Sequence, residues 1–113
     1  MADIFQLATQ LGKAIQDSPQ ATALRDAREA VHGKPDLTEL LQAYQQQANR
    51  IGEMEHSGNP VEVADKHKLQ DLHNQLAAAP EVKTLTVAQM EYVELMRKVS
   101  DTLRAETKGT DGP

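Results

Sequence analysis

Residues 82–103 read VKTLTVAQMEYVELMRKVSDTL, and this run carries more apolar surface than one face of a helix can use. One set of apolar residues recurs at spacings of three and four, as expected for the core-facing side of a helix. These are Leu85, Ala88, Tyr92, Leu95, Met96, Val99 and Leu103. A second set, Val87, Met90 and Val93, lies about 80° to 200° from the centre of that stripe at roughly 100° per residue. We therefore expect a long helix covered on both sides, by its own core and by a second copy or a partner. Val87, Met90 and Val93 are the candidate self-association or partner surface.

The rest of the chain also has a helical period, which internal prolines divide into segments. Pro19, Pro35, Pro60 and Pro80 can each stand in or beside the first turn of a helix, where a missing N–H is tolerated. No segment alternates with a period of two, so we expect no sheet. The expected helices cover about residues 3–17, 19–32, 37–57, 60–78 and 80–106.

Polar residues and a glycine mark the expected helix ends. Ser18 is expected to cap the second helix, and Asp36 to cap the third. Asn59 and Glu62 have the spacing of a capping box for the fourth helix. Gly58 falls where the C-terminus of the third helix favours glycine.

These segments predict an all-α fold, a helical bundle of about five helices with two long antiparallel helices, the third and the fifth. We expect residues 1–106 to form a single helical domain, because 113 residues is an ordinary length for one domain. Residues 107–113 are polar and rich in glycine, and they are expected to form a disordered C-terminal tail.

The composition excludes several classes of function. The net charge of −5 argues against a nucleic-acid-binding surface, which needs a basic stripe. The chain has no cysteine, so disulfides, thiolate catalysis and cysteine-ligated metal clusters are excluded. No apolar run approaches the roughly 18 residues of a membrane span, and no basic stretch precedes an apolar one at the N-terminus. We expect a cytoplasmic protein that binds neither nucleic acid nor membrane directly.

Two Glu-x-x-His pairs, Glu29 with His32 and Glu53 with His56, have the spacing that di-iron helix bundles use. Helical angles place both carboxylates roughly 140° to 160° from the apolar stripes of their helices, so we expect them to face water. His67 and Asp71 are spaced for a local contact but lack a third ligand at a recognisable spacing. No catalytic, cofactor-binding or metal-ligating residue is predicted, and no cofactor is expected.

Two motifs suggest a family. The chain reads LGxAIxxSP at residues 11–19 and AQxxYxxLMxxV at residues 88–99. With these motifs it resembles the YlbF/YmcA family of small bacterial helical regulatory proteins over about residues 4–104. The resemblance implies an all-helical protein that self-associates and has no known catalytic activity. It also implies a link to RNase Y, since characterised members are accessory factors of that enzyme in mRNA processing. Some members hold iron–sulfur clusters through cysteines, and this property does not carry over to a chain without cysteine.

The residues and the resemblance together predict a non-enzymatic adaptor or regulatory protein that acts through helical protein–protein surfaces. Its expected partners are a second copy, in a homo-oligomer that we take to be a dimer, and a protein of RNA processing. The alternative is a metal- or ligand-binding helical bundle, which could be an enzyme. Metal analysis of the purified protein separates the two, because an adaptor is expected to hold no stoichiometric metal.

Overall fold

The computed structural model describes residues 3–110, and within that range the chain is helical and contains no strand. The helices are α1 (Ile4–Gln16), α2 (Pro19–His32), α3 (Pro35–His56), α4 (Val63–Ala78) and α5 (Pro80–Glu106). A single 3-10 turn follows at Lys108–Thr110. The prediction of an all-α fold with five helices is confirmed, and α3 and α5 are the two long helices, with 22 and 27 residues.

The break between α1 and α2 is set by Ser18, as predicted. Its Oγ accepts a hydrogen bond from the backbone N–H of Ala21 at 3.1 Å and donates one to the carbonyl of Ile15 at 2.6 Å. Pro19 occupies the first helical position, where its missing N–H leaves nothing unsatisfied. One hydroxyl therefore closes α1 and caps α2.

The end of α3 forms a Schellman motif around Gly58, as the glycine predicted. Gly58 has a φ of +77°, in the left-handed region that favours glycine. Its N–H donates to the carbonyl of Glu55 at 3.3 Å, and the N–H of Asn59 donates to the carbonyl of Met54 at 2.9 Å. Asn59 thus belongs to the end of α3, and the capping box expected from Asn59 and Glu62 is wrong. The helix that follows, α4, begins three residues later than predicted, with Glu62 at its N-cap position.

The start of α3 also differs from the prediction. The helix begins at Pro35, with Lys34 in an extended conformation at the N-cap position and no side-chain cap. Asp36 lies in the first turn and does not cap the helix. The reason is that proline is favoured at the first position of a helix. The helix therefore begins at Pro35, one residue before Asp36.

The chain divides into two compact units. The second unit, Ala27–Thr84, contains α3 packed against α4, the helix that follows it. Its buried apolar side chains are Ala27, Val31, Leu37 and Leu76. The expected antiparallel pairing of α3 with α5, and the single domain over residues 1–106, stay predictions.

The first unit, Met1–Asp26 with Leu85–Pro113, has a small buried core that includes Leu24 and Ala88. The guanidinium of Arg25 donates to the carbonyl of Gln16 at 3.0 Å, which ties the end of α1 to α2. In the predicted tail, Lys108–Thr110 form the 3-10 turn and residues 111–113 lie outside the described residues, so disorder of the tail as a whole stays a prediction.

Candidate interaction surface on α5

Val87, Met90 and Val93 lie on the exposed side of α5, and we call these three residues the α5 surface. Their exposed fractions are 54%, 67% and 65%. On the opposite side of the helix Ala88 is buried, with an exposed fraction of 4%. Half-buried side chains continue the covered side: Leu85, Tyr92, Leu95, Met96 and Val99. Leu103 departs from the predicted stripe, because it is 52% exposed near the end of the helix.

The α5 surface is not flat, because a shallow depression lies on each side of Met90. One depression is lined by Thr86, Gln89, Met90, Val93 and Glu94. The other is lined by Gln20, Met90, Glu91, Glu94, Leu95 and Lys98. Apolar side chains form part of each lining, and charged side chains stand around them. This combination is typical of a surface that receives side chains of another helix.

A network of charged side chains follows the α5 surface along the helix. Arg97 forms two hydrogen bonds with the carboxylate of Glu94, the Nε contact measuring 3.0 Å. Arg97 and Arg104 both approach Asp101, at 3.5 and 3.7 Å. Hydrogen bonding to Arg97 lowers the pKa of Glu94 below its ordinary value, and the same contact raises the pKa of Arg97. The i, i+4 spacing also allows an ion pair of Glu94 with Lys98, but the paired donors of Arg97 match a carboxylate better.

The two Glu-x-x-His pairs are exposed, so the predicted direction of these side chains is confirmed. Glu29, His32, Glu53 and His56 all lie on solvent-facing positions of α2 and α3. His67 and Asp71 are exposed as well. Within residues 3–110, no three His, Asp or Glu side chains are gathered in a way that could hold a metal ion.

One buried polar residue was missed by the sequence reading. Gln47 stands in the short polar run of Gln45, Gln46 and Gln47, but it is only 5% exposed. Its amide donates to the backbone carbonyl of Asp65 at 2.9 Å, and the carboxylate of Asp65 lies 3.6 Å from Nε of Arg50. The signal was present in the spacing, because Gln47 lies three residues after Tyr44 and four before Ile51 on the apolar side of α3. This contact links α3 to the first turn of α4.

No helix in the described part of the chain is long and apolar enough to cross a membrane.

The fold and the α5 surface together define a small all-helical protein with an uncovered apolar side. The family model described as "Control of competence regulator ComK, YlbF/YmcA" matches residues 4–106, and the chain belongs to this family.

Two similar proteins were found besides the family model. A protein of Lactobacillus gasseri described as "UPF0342 protein" is 24% identical over 108 residues, which cover 96% of this chain and 90% of the relative. The crystal structure of Bacillus subtilis RicA in complex with RicF contains a chain that superposes with a TM-score of 0.83 at 14% identity. That match covers 97% of this chain and all of the other, and it confirms the helical fold.

Proposed function

We propose that this protein is a cytoplasmic, non-enzymatic adaptor that regulates another protein by binding it through helical surfaces. The observation that carries the proposal is the α5 surface, where Val87, Met90 and Val93 are more than half exposed on the side of the helix opposite the buried Ala88. A contiguous apolar patch of this kind is typical of a protein–protein contact. The family description, control of a regulator, supports the same class of function.

The finer part of the proposal is that the protein forms a homodimer and supports RNase Y in mRNA processing. Support comes from the family and from the RicA structure, in which a protein of the same fold is bound to another protein. In this role the chain contacts protein and does not read RNA itself. Its net charge of −5 disfavours a polyanionic ligand.

Deletion of the gene in its native host, followed by mapping of transcript ends, tests this function. We expect altered ends on polycistronic transcripts, restored by the wild-type protein. Met90→Glu should fail to restore them, because it places a charge in the middle of the α5 surface. Gln46→Glu adds the same charge at an exposed position of α3 and should restore them.

Unchanged transcript ends in the deletion strain would contradict the role in RNA processing. Equal rescue by Met90→Glu and the wild type would contradict the role of the α5 surface.

A further inference from the structure

The first unit leaves a second apolar patch uncovered, on the N-terminal half of α1. Ile4 and Phe5 are 75% and 77% exposed, and Leu7 is half exposed. We call these three residues the α1 patch. Further along the same helix, Leu11 and Ile15 are half-buried, so the C-terminal half of α1 is partly covered by its own chain. Within residues 3–110, Ile4 and Phe5 therefore have little cover from their own chain.

The α1 patch and the α5 surface differ in shape. The α1 patch presents exposed side chains that can enter a depression, among them the aromatic ring of Phe5. The α5 surface has a depression on each side of Met90. One chain thus carries exposed apolar side chains on α1 and, on α5, depressions of the kind that accept side chains of another helix.

Area decides between two ways of pairing two copies. A large apolar side chain that passes from full exposure to full burial removes roughly 60–120 Å² from water. This range follows from a stabilisation of about 1.5–3 kcal/mol at about 25 cal/mol per Å². Because Val87, Met90 and Val93 are only 54–67% exposed, the α5 surfaces of two copies facing each other would bury about 350 Å² of apolar side chain. A specific interface buries about 1,000 Å² or more in total, of which roughly 60%, or about 600 Å², is apolar. Adding the α1 patch of each copy doubles the buried apolar area to about 700 Å², which reaches that share.

We propose that the α5 surface receives α1 of a second copy, and that the exchange is reciprocal in a two-fold symmetric dimer. Each chain inserts its α1 patch beside Met90 of its partner, so both uncovered patches are buried in one assembly. This inference rests on the proposed function in one respect, which is that the α5 surface is a protein contact. It adds that the protein bound there is a second copy of the same chain.

Cysteine cross-linking between chains tests the arrangement, because the natural chain has no cysteine and every introduced thiol is unique. Phe5→Cys and Met90→Cys are made in separate chains that carry tags of different size. The two proteins are mixed, allowed to exchange, and treated with a short bismaleimide. We expect the Phe5–Met90 product to exceed either same-residue product by at least about tenfold. Gln10→Cys, an exposed position about 140° from Phe5 on α1, serves as the matched control with Met90→Cys.

Equal cross-linking of Met90→Cys with Phe5→Cys and with Gln10→Cys would overturn the proposal. A dominant product between two Met90→Cys chains would also overturn it, while leaving the α5 surface as a self-contact. A wild-type protein that sediments as a monomer, with no cross-link between chains, would overturn the second copy as the occupant. The transcript-end experiment reports separately on the adaptor function, since it does not depend on which chain covers the surface.

Discussion

The buried amide of Gln47 shows how one polar side chain can fix the packing of two helices. It reaches across from α3 to the backbone carbonyl of Asp65, in the first turn of α4. A buried hydrogen bond of this kind stabilises little in net terms, but its removal leaves a buried polar group without its partner. The contact therefore matters more for which faces meet than for the total stability.

We expect Gln47→Ala to lower the free energy of unfolding by about 1–3 kcal/mol, because it removes the hydrogen bond and leaves a small cavity. Gln46→Ala is the matched control, since Gln46 is the exposed neighbour on the same helix. That change should stay within about 0.5 kcal/mol. Urea unfolding followed by circular dichroism measures both. Equal effects of the two substitutions would show that burial of Gln47 contributes nothing.

The ion pair of Lys34 with Glu81 predicts a dependence on pH. The hydrogen bond from Lys34 is the main cause that lowers the pKa of Glu81 below its ordinary value of 4.5. A lowered pKa in the folded state means that the pair stabilises the fold above that ordinary value. The contribution is lost as the pH falls through the lowered pKa.

Lys34→Met should therefore raise the pKa of Glu81 towards its ordinary value, and it should flatten the acid limb of stability below about pH 4.5. Side-chain titration by NMR measures the first effect. Glu94 is the internal control, because its pKa is lowered by Arg97 and not by Lys34. An unchanged Glu81 pKa in the variant would contradict the assignment.

At the scale of the helices, replacing glycine by alanine should have opposite effects on stability at two positions, Gly52 inside α3 and Gly58 just after it. Gly58 has a φ of +77°, where a Cβ is strained, so Gly58→Ala should destabilise the fold by roughly 1–2 kcal/mol. Gly52 lies inside α3 with nothing within 4 Å of an added Cβ, so Gly52→Ala should stabilise by up to about 1 kcal/mol. Thermal unfolding of both variants measures the difference. The same sign for both would show that backbone conformation does not govern the end of α3.

The α5 surface makes a prediction about assembly. Met90→Glu should weaken self-association by roughly 10- to 100-fold, since it removes the burial of one methionine and adds a charge at the contact. Sedimentation velocity over a concentration series measures the shift towards monomer. Gln46→Glu, which adds the same charge on α3, should leave the distribution unchanged. A wild-type protein that is already monomeric at a concentration on the order of tens of micromolar would show that this expectation is wrong.

For the whole molecule, the charge predicts weak contact with RNA. The chain carries 17 acidic and 12 basic residues, so a polyanion is repelled on average. Tyr44 and Tyr92 are half-buried, which leaves Phe5 as the one well-exposed aromatic among the described residues. A single ring is a poor platform for stacking successive bases.

Direct binding of the purified protein to single-stranded RNA should accordingly be weak and should vanish at moderate salt. Filter binding or fluorescence anisotropy at two salt concentrations measures this. Submicromolar affinity at physiological salt would contradict the adaptor proposal. It would also imply that assembly creates a basic surface that one chain does not have.

The sequence by itself determined the local features of this protein. These features follow from residues within about one helical turn of each other. They are the helical period, the Ser18 cap, the helix end at Gly58, the exposed Glu-x-x-His pairs and the apolar residues on two sides of α5. Such interactions are present in the sequence pattern whatever the fold does at long range. This is why five helices and the family resemblance could both be inferred without coordinates.

Only the tertiary structure decided which faces meet. In the folded chain Gln47 is buried against the backbone of Asp65, and Lys34 lies beside Glu81. Glu94 pairs with Arg97 and not with Lys98. The tertiary structure also left Ile4 largely exposed, although Ile4, Leu7 and Leu11 have the spacing of a core-facing stripe on α1. The physical reason is that an apolar stripe predicts that a helix face will be buried, but it does not predict which surface will cover it. The covering surface depends on the packing of residues that are far apart in the chain.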